Sequence, residues 1–284
     1  MSLIVDADKE FLWSLRYSIL DKAEFLPAMV MSIPWHKSDV VQEFYDLLDL
    51  WKKPSPTQAL QLLDRRFMDP KVRAYAVHSL EVLPDEELVL FMLQLCQQLK
   101  FESFIDSALS RFLLRRAILN SRIIGHHFFW LLQSEIYNVD VKRRFSILLE
   151  IYVKHCGSHR LALGHQMFVM KRLECVAELV THGESKSSRL TILRDELKKV
   201  QFPPEFCLPL NPNLIIRGID IERCRVMESK KKPLWLTFKD APKGGNDLVL
   251  MLKVGDDLRQ DALIMQLLRV MNDLWEKKGT YFIY

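Results

Sequence analysis

Lys253 ends an almost wholly apolar run, Leu248–Leu252, and Val254, Gly255, Asp256 and Asp257 follow it before a helical pattern begins. An ammonium at the end of an apolar strand is costly to bury unpaired. It either takes an anionic partner, a carboxylate or a nucleotide phosphate, or runs its stem along the strand and leaves its charge in water. A second segment, Met227-Glu228-Ser229-Lys230-Lys231-Lys232-Pro233-Leu234-Trp235, sets a Ser-Lys-rich turn between two β-type runs. Such a turn can lay backbone N–H groups, a hydroxyl and ammonium groups around phosphates, or it is a solvated charge run. Neither a G-x-G-x-x-G nor a Walker A string occurs, so the two common phosphate-loop templates do not apply.

Other reactive side chains read as structural. His155 and His159 flank Gly157 and would not share a helical face, so with Cys156 they make no zinc set, and no metal site is expected. His155 suits a helix C-terminus, and His126-His127 lies in an aromatic helical stretch. The five cysteines are widely spaced, with no C-x-x-C pair, which fits reduced thiols of the cytosol. A net charge of +4 is too small to argue for nucleic acid, and the single basic cluster at Lys230–Lys232 does not change that. The acidic opening MSLIVDADKE has no apolar signal core, and no window approaches 18 uncharged apolar residues. The expectation is a soluble, intracellular protein.

The elements that would carry these residues fall into two grammars. Up to about residue 200 helix follows helix. Ser55-Pro56-Thr57-Gln58 is a capping box with proline at the first helical position, and Asp69-Pro70 opens the next helix, with Val72, Tyr75, Ala76 and Leu80 on one face. Pro84-Asp85-Glu86-Glu87 opens another, striped by Leu88, Phe91, Met92, Leu95 and Leu99. Further starts are expected near Asp106, Ser121 and Val139, the last carrying Phe145, Leu148, Leu149 and Tyr152 to a C-cap at Gly157. Two more helices are expected over about 160–181 and 187–200. Alternate starts lie about 31 to 37 residues apart, the spacing of stacked helical hairpins. After Phe202-Pro203-Pro204 the pattern turns to turns and strands: Pro209–Asn213 as turn and extended chain, strands at Cys224–Met227, Leu234–Phe238 and Leu248–Leu252, then a helix from about Asp257 to Trp275 with Leu258, Ala262, Met265, Leu268 and Met271 inward. The fold expected is mainly α, a right-handed superhelix of antiparallel helix pairs of armadillo/HEAT-like type, followed by an incomplete α+β lobe. The division is placed near residue 200.

Taken together, VGDDLRQD with its amphipathic helix and MESKKKPLWLTF resemble the amino-terminal lobe of the phosphoinositide 3-kinases. The first stretch is a mark of phosphoinositide kinases generally and the second is similar to class I. DKEFLWSLRYSI, ALQLLD, DSALSRFLLRRA and GHHFFWLLQSEI resemble the helical domain of class I catalytic subunits. The resemblance implies a helical accessory domain over 1–200 and a partial kinase lobe over 201–284. It implies ATP and Mg²⁺ as cofactors of the full-length parent, which would transfer the γ-phosphate to the 3-hydroxyl of phosphoinositides at a membrane surface. By the same resemblance Lys253 is the ATP-phosphate lysine, Ser229 and Lys231 belong to the phosphate-binding loop, and Met227, Trp235 and Met251 form the apolar roof over adenine. Asp261 is the acidic residue of the following helix. Asp6 and Asp8, ordinary acidic residues at a helix start by themselves, fall where the N-terminal SH2 domain of a regulatory subunit docks on the family. The location implied is cytoplasmic with peripheral recruitment to the plasma membrane. The family's D-R-H-x-x-N and D-F-G strings do not occur in this sequence, and Gly279-Thr280-Tyr281-Phe282 stands where Gly-Leu-Asp-Leu is usual. Residues 1–284 alone are therefore expected to be inactive. The alternative reading is a non-catalytic scaffold that binds the regulatory subunit.

Overall fold

The computed structural model describes residues 6–240 and 247–279, with the side chains of Asp6, Ala7 and Asp240 outside that description. It divides into two compact units, 1–155 and 156–284.

The first unit is helical. Its described helices are α1 (Asp6–Ser14), α2 (Leu26–Ser32), α3 (Ser38–Leu50), α4 (Pro56–Leu62), α5 (Pro70–Leu80), α6 (Asp85–Gln98), α7 (Ala108–Leu119), α8 (His126–Gln133) and α9 (Lys142–His155). Their starts follow local chemistry. The Ser55 hydroxyl accepts from Gln58 N while Gln58 Oε1 accepts from Ser55 N, completing the capping box. Asp69 Oδ1 accepts from Lys71 N and Val72 N at the start of α5. Its other oxygen accepts from the Tyr45 hydroxyl at 2.7 Å, and burial, together with that bond, pushes the Tyr45 phenol up to about 12. The start expected near Ser121 is a π-helical turn, Ser121–Gly125, that runs into α8. Gly125 is required there, since a Cβ would lie 2.0 Å from Tyr152 Oη and 2.7 Å from the Ala117 carbonyl. Gly157 closes the stretch after α9 in the left-handed conformation, φ 59°.

Alternate helices stack: α3 on α5, α5 on α7, α7 on α9, and α6 on α8. Most of the expected stripe residues are buried, with Val72, Ala76, Leu80, Leu88, Met92, Leu95, Leu99, Phe145, Leu148, Leu149 and Tyr152 in the core, while Tyr75 and Phe91 are only half-buried. Arg73, which the apolar stripe does not predict, is buried too. It donates from Nε to Glu102 Oε1 at 2.8 Å, and from Nη1 to the Leu63 and Phe67 carbonyls at 2.7 and 3.1 Å. Arg144 donates to the carbonyls of Leu99 and Glu102. The α4–α5 and α6–α7 connections are thus held by guanidinium groups that satisfy carbonyls no helix can satisfy.

The second unit holds α10 (His159–Thr181), α11 (Lys186–Lys199), a five-stranded antiparallel sheet and α12 (Arg259–Lys277). The strands are β1 (Phe206–Leu208), β2 (Asn211–Ile219), β3 (Arg225–Val226), β4 (Leu234–Asp240) and β5 (Leu248–Leu252). β4 is central. One edge carries β5 over its length, and the other is shared between β2 near Phe238 and β3 near Leu234. One core joins Val169, Leu173, Val176, Val180, Leu193 and Leu197 of the two helices to Phe206, Ile216, Val226, Leu234, Leu236, Phe238 and Leu252 of the sheet. Helices α10 and α11, on the helical side of a division near residue 200, are therefore packed with the strands that follow them.

The stretch 209–213, expected as turn and extended chain, is a turn at 209–210 followed by the start of β2, which tolerates Pro212 there; the strand's continuation to Ile219, and β1 before it, were not expected. One expectation changes. Leu258, Ala262, Met265, Leu268 and Met271, expected to face inward, are exposed. Their spacing makes a helix, and among the described residues α12 has none that is buried. No described helix is long and apolar enough to cross a membrane.

Removing one partner of a buried ion pair leaves the other uncompensated. Arg73→Met should destabilise the chain by about 3–5 kcal/mol, whereas Arg66→Ala, whose partner Asp64 is half-exposed, should cost less than about 1 kcal/mol. Urea denaturation of the two variants checks this, and equal losses would contradict the role given to Arg73.

Candidate functional site

The sheet has two faces because side chains alternate along each strand. In β4 and β5 the even positions Leu234, Leu236, Phe238 and Leu252 are buried against the helices. The odd positions therefore point to the other face. There Arg225, Trp235 and Met251 form one row across three strands, since Arg225 pairs with Trp235 and Trp235 with Met251. The Arg225 guanidinium lies 5.5 Å from the Trp235 ring centroid, a cation–π contact. Met251 is 45% exposed and Val249 41%, so apolar surface is left open on this side.

The next row completes the constellation. Met227 N donates to the Pro233 carbonyl at 2.9 Å. Continuing the β4–β5 register past Leu234 and Leu252 sets Lys253 opposite Pro233. Met227 and Lys253 then flank the row at two strand spacings, roughly 10 Å. Lys253 is partly exposed and forms no ion pair or hydrogen bond among the described residues, so its charge is not spent on a carboxylate of its own unit.

The Ser-Lys turn closes tightly. Ser229 N donates to the Met227 carbonyl and Lys232 N to the Ser229 carbonyl, each at 3.1 Å. Lys232 sits at φ 46°, a left-handed conformation that costs a side-chain-bearing residue about 1 kcal/mol. Lys231 Nζ donates to the Gly255 carbonyl at 2.8 Å. That bond brings the turn to the one that follows Lys253, where Gly255 takes φ 71°. Beyond it, the Asp257 carboxylate is bracketed by the side chain and backbone N–H of Arg259, which hold its acid well below the usual range, down to about 2. Burial pushes up the thiol of Cys224, on the core side of the sheet.

The structure thus brings Met227, Trp235, Met251, Lys253 and the loop of Ser229 and Lys231 to one face. Asp261 lies exposed in the first turn of α12 with no bond to the others. Asp6 opens α1, its side chain outside the described residues, and Asp8 is exposed two residues on. Arg225 was not anticipated, although its alternation with Met227 would have placed it on the same face. Among the described residues no three His, Cys, Asp or Glu side chains are placed to hold a metal ion. Two cavities lie away from this face. One of about 570 Å³ is lined by residues including Val30, Trp35 and Met68, and one of about 400 Å³ by residues including Phe168, Cys175 and Val200.

Two stretches of the chain match known families. Residues 1–165 match the accessory (PIK) domain of the phosphoinositide 3-kinase family, and residues 247–282 match phosphatidylinositol 3- and 4-kinase. The chain is 42% identical to phosphatidylinositol 3-kinase 1 of Dictyostelium discoideum over 94% of its length, and 39% identical to phosphatidylinositol 3-kinase 2 of that organism over 96%. It belongs to the phosphoinositide 3-kinase family. It spans 17% and 15% of the length of these two relatives.

The two faces make opposite predictions. Leu236→Ala on the buried side should cost about 2–5 kcal/mol, while Met251→Ala on the open side should stay within about 0.5 kcal/mol. Thermal unfolding of both variants checks the assignment, and a large loss at Met251 would mean that the open face is in fact a core.

Proposed function

We propose that the open face of the sheet is the nucleotide side of a phosphatidylinositol 3-kinase lobe, in a full-length protein that phosphorylates the 3-hydroxyl of phosphoinositides. The observation that carries this reading is the Lys253 ammonium, without a partner among the described residues, beside an exposed apolar row and a lysine turn. Trp235, Met251 and Met227 would receive the adenine, a flat apolar ring suited to their surface. Lys253, Lys231 and the Ser229 hydroxyl would hold the phosphates, where ammonium groups act as point charges. ATP, when bound, supplies the γ-phosphoryl group. The chain's own part is to bind and orient it and to offset phosphate charge. Asp261, in the first turn of α12, would line the inner side of the same pocket. Mg²⁺ is given no ligand here, since the family's D-R-H-x-x-N and D-F-G strings are not among these residues.

Residues 1–200 are read as the helical accessory domain and 201–284 as the kinase-type segment. Asp6 and Asp8 at the start of α1 are proposed to meet an SH2-containing regulatory subunit, on the strength of their position beside Phe11-Leu12-Trp13. A cytoplasmic protein recruited peripherally to the plasma membrane follows from the lipid substrate. Residues 1–284 alone should not transfer phosphate, and should bind Mg-ATP no tighter than roughly millimolar, because most of the contacts that would outweigh the cost of association are not in this stretch.

In a full-length protein carrying this segment, Lys253→Met should leave the unfolding temperature unchanged and lower lipid phosphorylation by about a hundredfold or more. Radiolabelled phosphate transfer to phosphoinositide vesicles measures it. Activity within tenfold of the unsubstituted protein would refute the assignment.

A further inference from the structure

The loop Glu228–Lys232 is held on a second side, away from the strands, by the turn that joins α10 to α11. Lys232 Nζ donates to the carbonyl of Thr181 at 3.2 Å. Thr181 is the last residue of α10, where unsatisfied carbonyls and the helix dipole favour a cation. Arg189, in the first turn of α11, keeps its side chain 12% exposed and sets Nη2 3.4 Å from Glu228 Oε2. Its Nη1 donates to the Gly183 carbonyl at 3.2 Å. Gly183 permits this close approach, since a Cβ there would stand 2.6 Å from Arg189 Cγ. Ser185 caps α11 by accepting from Ser188 N, which fixes the turn from which Arg189 projects.

Three consecutive lysines repel one another, and a free turn bearing them would splay. Here each of two has a separate neutral acceptor: Lys232 the Thr181 carbonyl, and Lys231 the Gly255 carbonyl. A carbonyl bond leaves the ammonium its full charge, so Lys231 stays competent for phosphate while its position is fixed. The left-handed Lys232 turns its side chain towards α10.

We propose that Arg189, Glu228 and Lys232 are positioning residues, and that through them the α10–α11 turn sets how tightly the loop of Ser229 and Lys231 engages nucleotide phosphate. The proposal rests on the nucleotide reading of the open face. It assigns these three residues no contact with the substrate, so loosening them should act on ATP affinity and leave the lipid site alone.

Two measurements test it. In residues 1–284, amide hydrogen exchange should speed up across 229–232 in Glu228→Lys and in Lys232→Gly, with the unfolding temperature unchanged. In a full-length protein carrying the segment, Glu228→Lys should raise the KM for ATP about threefold to tenfold, as expected for one weak surface tether, with the KM for lipid unmoved. Arg189→Met removes the same pair from its other side and should also raise the KM for ATP, and combined with Glu228→Lys it should give less than the product of the two separate effects. Unchanged exchange in the loop overturns the tether, and so does faster exchange with an unchanged KM for ATP. Equal shifts in both KM values, or fully multiplicative effects of the two substitutions, show a general structural effect and overturn it as well. Lys253→Met separates the two ideas. If Lys253→Met abolishes transfer and Glu228→Lys changes nothing, the nucleotide reading stands without the tether; if Lys253→Met retains activity, both fall.

Discussion

Strand β4 must bury one face and satisfy two edges at once, and much of the second unit follows from how it does so. Its even side chains, Leu234, Leu236 and Phe238, are fully buried against α10 and α11. One edge is paired from Leu234 to Phe238 with β5, and the other is divided between β2 and β3. Because the side-chain period is two, a slip of one residue would exchange the faces. Trp235 would then enter the core and Leu236 would replace it outside. The register that hides the leucines is therefore the same register that presents Trp235, Met251 and Lys253 together. Core packing and the candidate site are one constraint seen from two sides.

That arrangement also explains how Lys253 can go without a partner among the described residues at little cost. A lysine deep in the apolar face would need a carboxylate to offset its desolvation. Lys253 falls one residue beyond β5 on the open side and is only partly buried. Its stem can lie along the strand while its charge meets solvent, or an anion that displaces solvent. The two readings left open by the sequence, a snorkelling lysine and a phosphate ligand, describe the same placement with and without a ligand. Arg73 shows the contrary case in the helical unit. It is buried at 2% exposure, and Glu102 and several carbonyls engage its donors, as a charge at that depth requires.

Helix boundaries were legible in the sequence because their causes are local. Ser55 with Gln58, Asp69 before Pro70, and Gly157 after α9 each act within one turn of chain, and each is found where the residues put it. Strand β5 was legible as an apolar run bounded by polar residues, and its limits, Leu248–Leu252, agree with the structure. What was not legible depends on distant partners. Strand β2 carries Pro212 and a mixed pattern, and it exists because β1 and β4 flank it. Arg73 reads as a charged interruption of an apolar stripe until the carbonyls of the α4–α5 connection are known. On the open face the roles of Lys253, Ser229 and Lys231 came from resemblance; independently of it, alternation along β4 and β5 sets Lys253 on the side of Trp235 and Met251, and the Lys231 bond to the Gly255 carbonyl brings the turn to the one after Lys253.

Helix α12 marks where periodicity stops being informative. Leu258, Met265, Leu268 and Met271 recur at helical spacing, and from that spacing an inward face is the natural expectation. Periodicity, however, states only that one side of a helix is apolar. Which surface covers that side is a tertiary fact. All four are between 42% and 55% exposed, alongside Ile264, Leu267 and Leu274, a larger apolar stretch than isolated surface leucines would make. The same amphipathic signal in α5 and α6 coincided with burial because neighbouring helices of the array supply the opposing stripes. A stripe in the sequence thus guarantees a helix more firmly than it guarantees a core. The difference between α6 and α12 lies in what surrounds each helix: charges run the length of α12 and set off its apolar side, those of α6 are confined to Asp85–Glu87, and yet it is α6 that is buried.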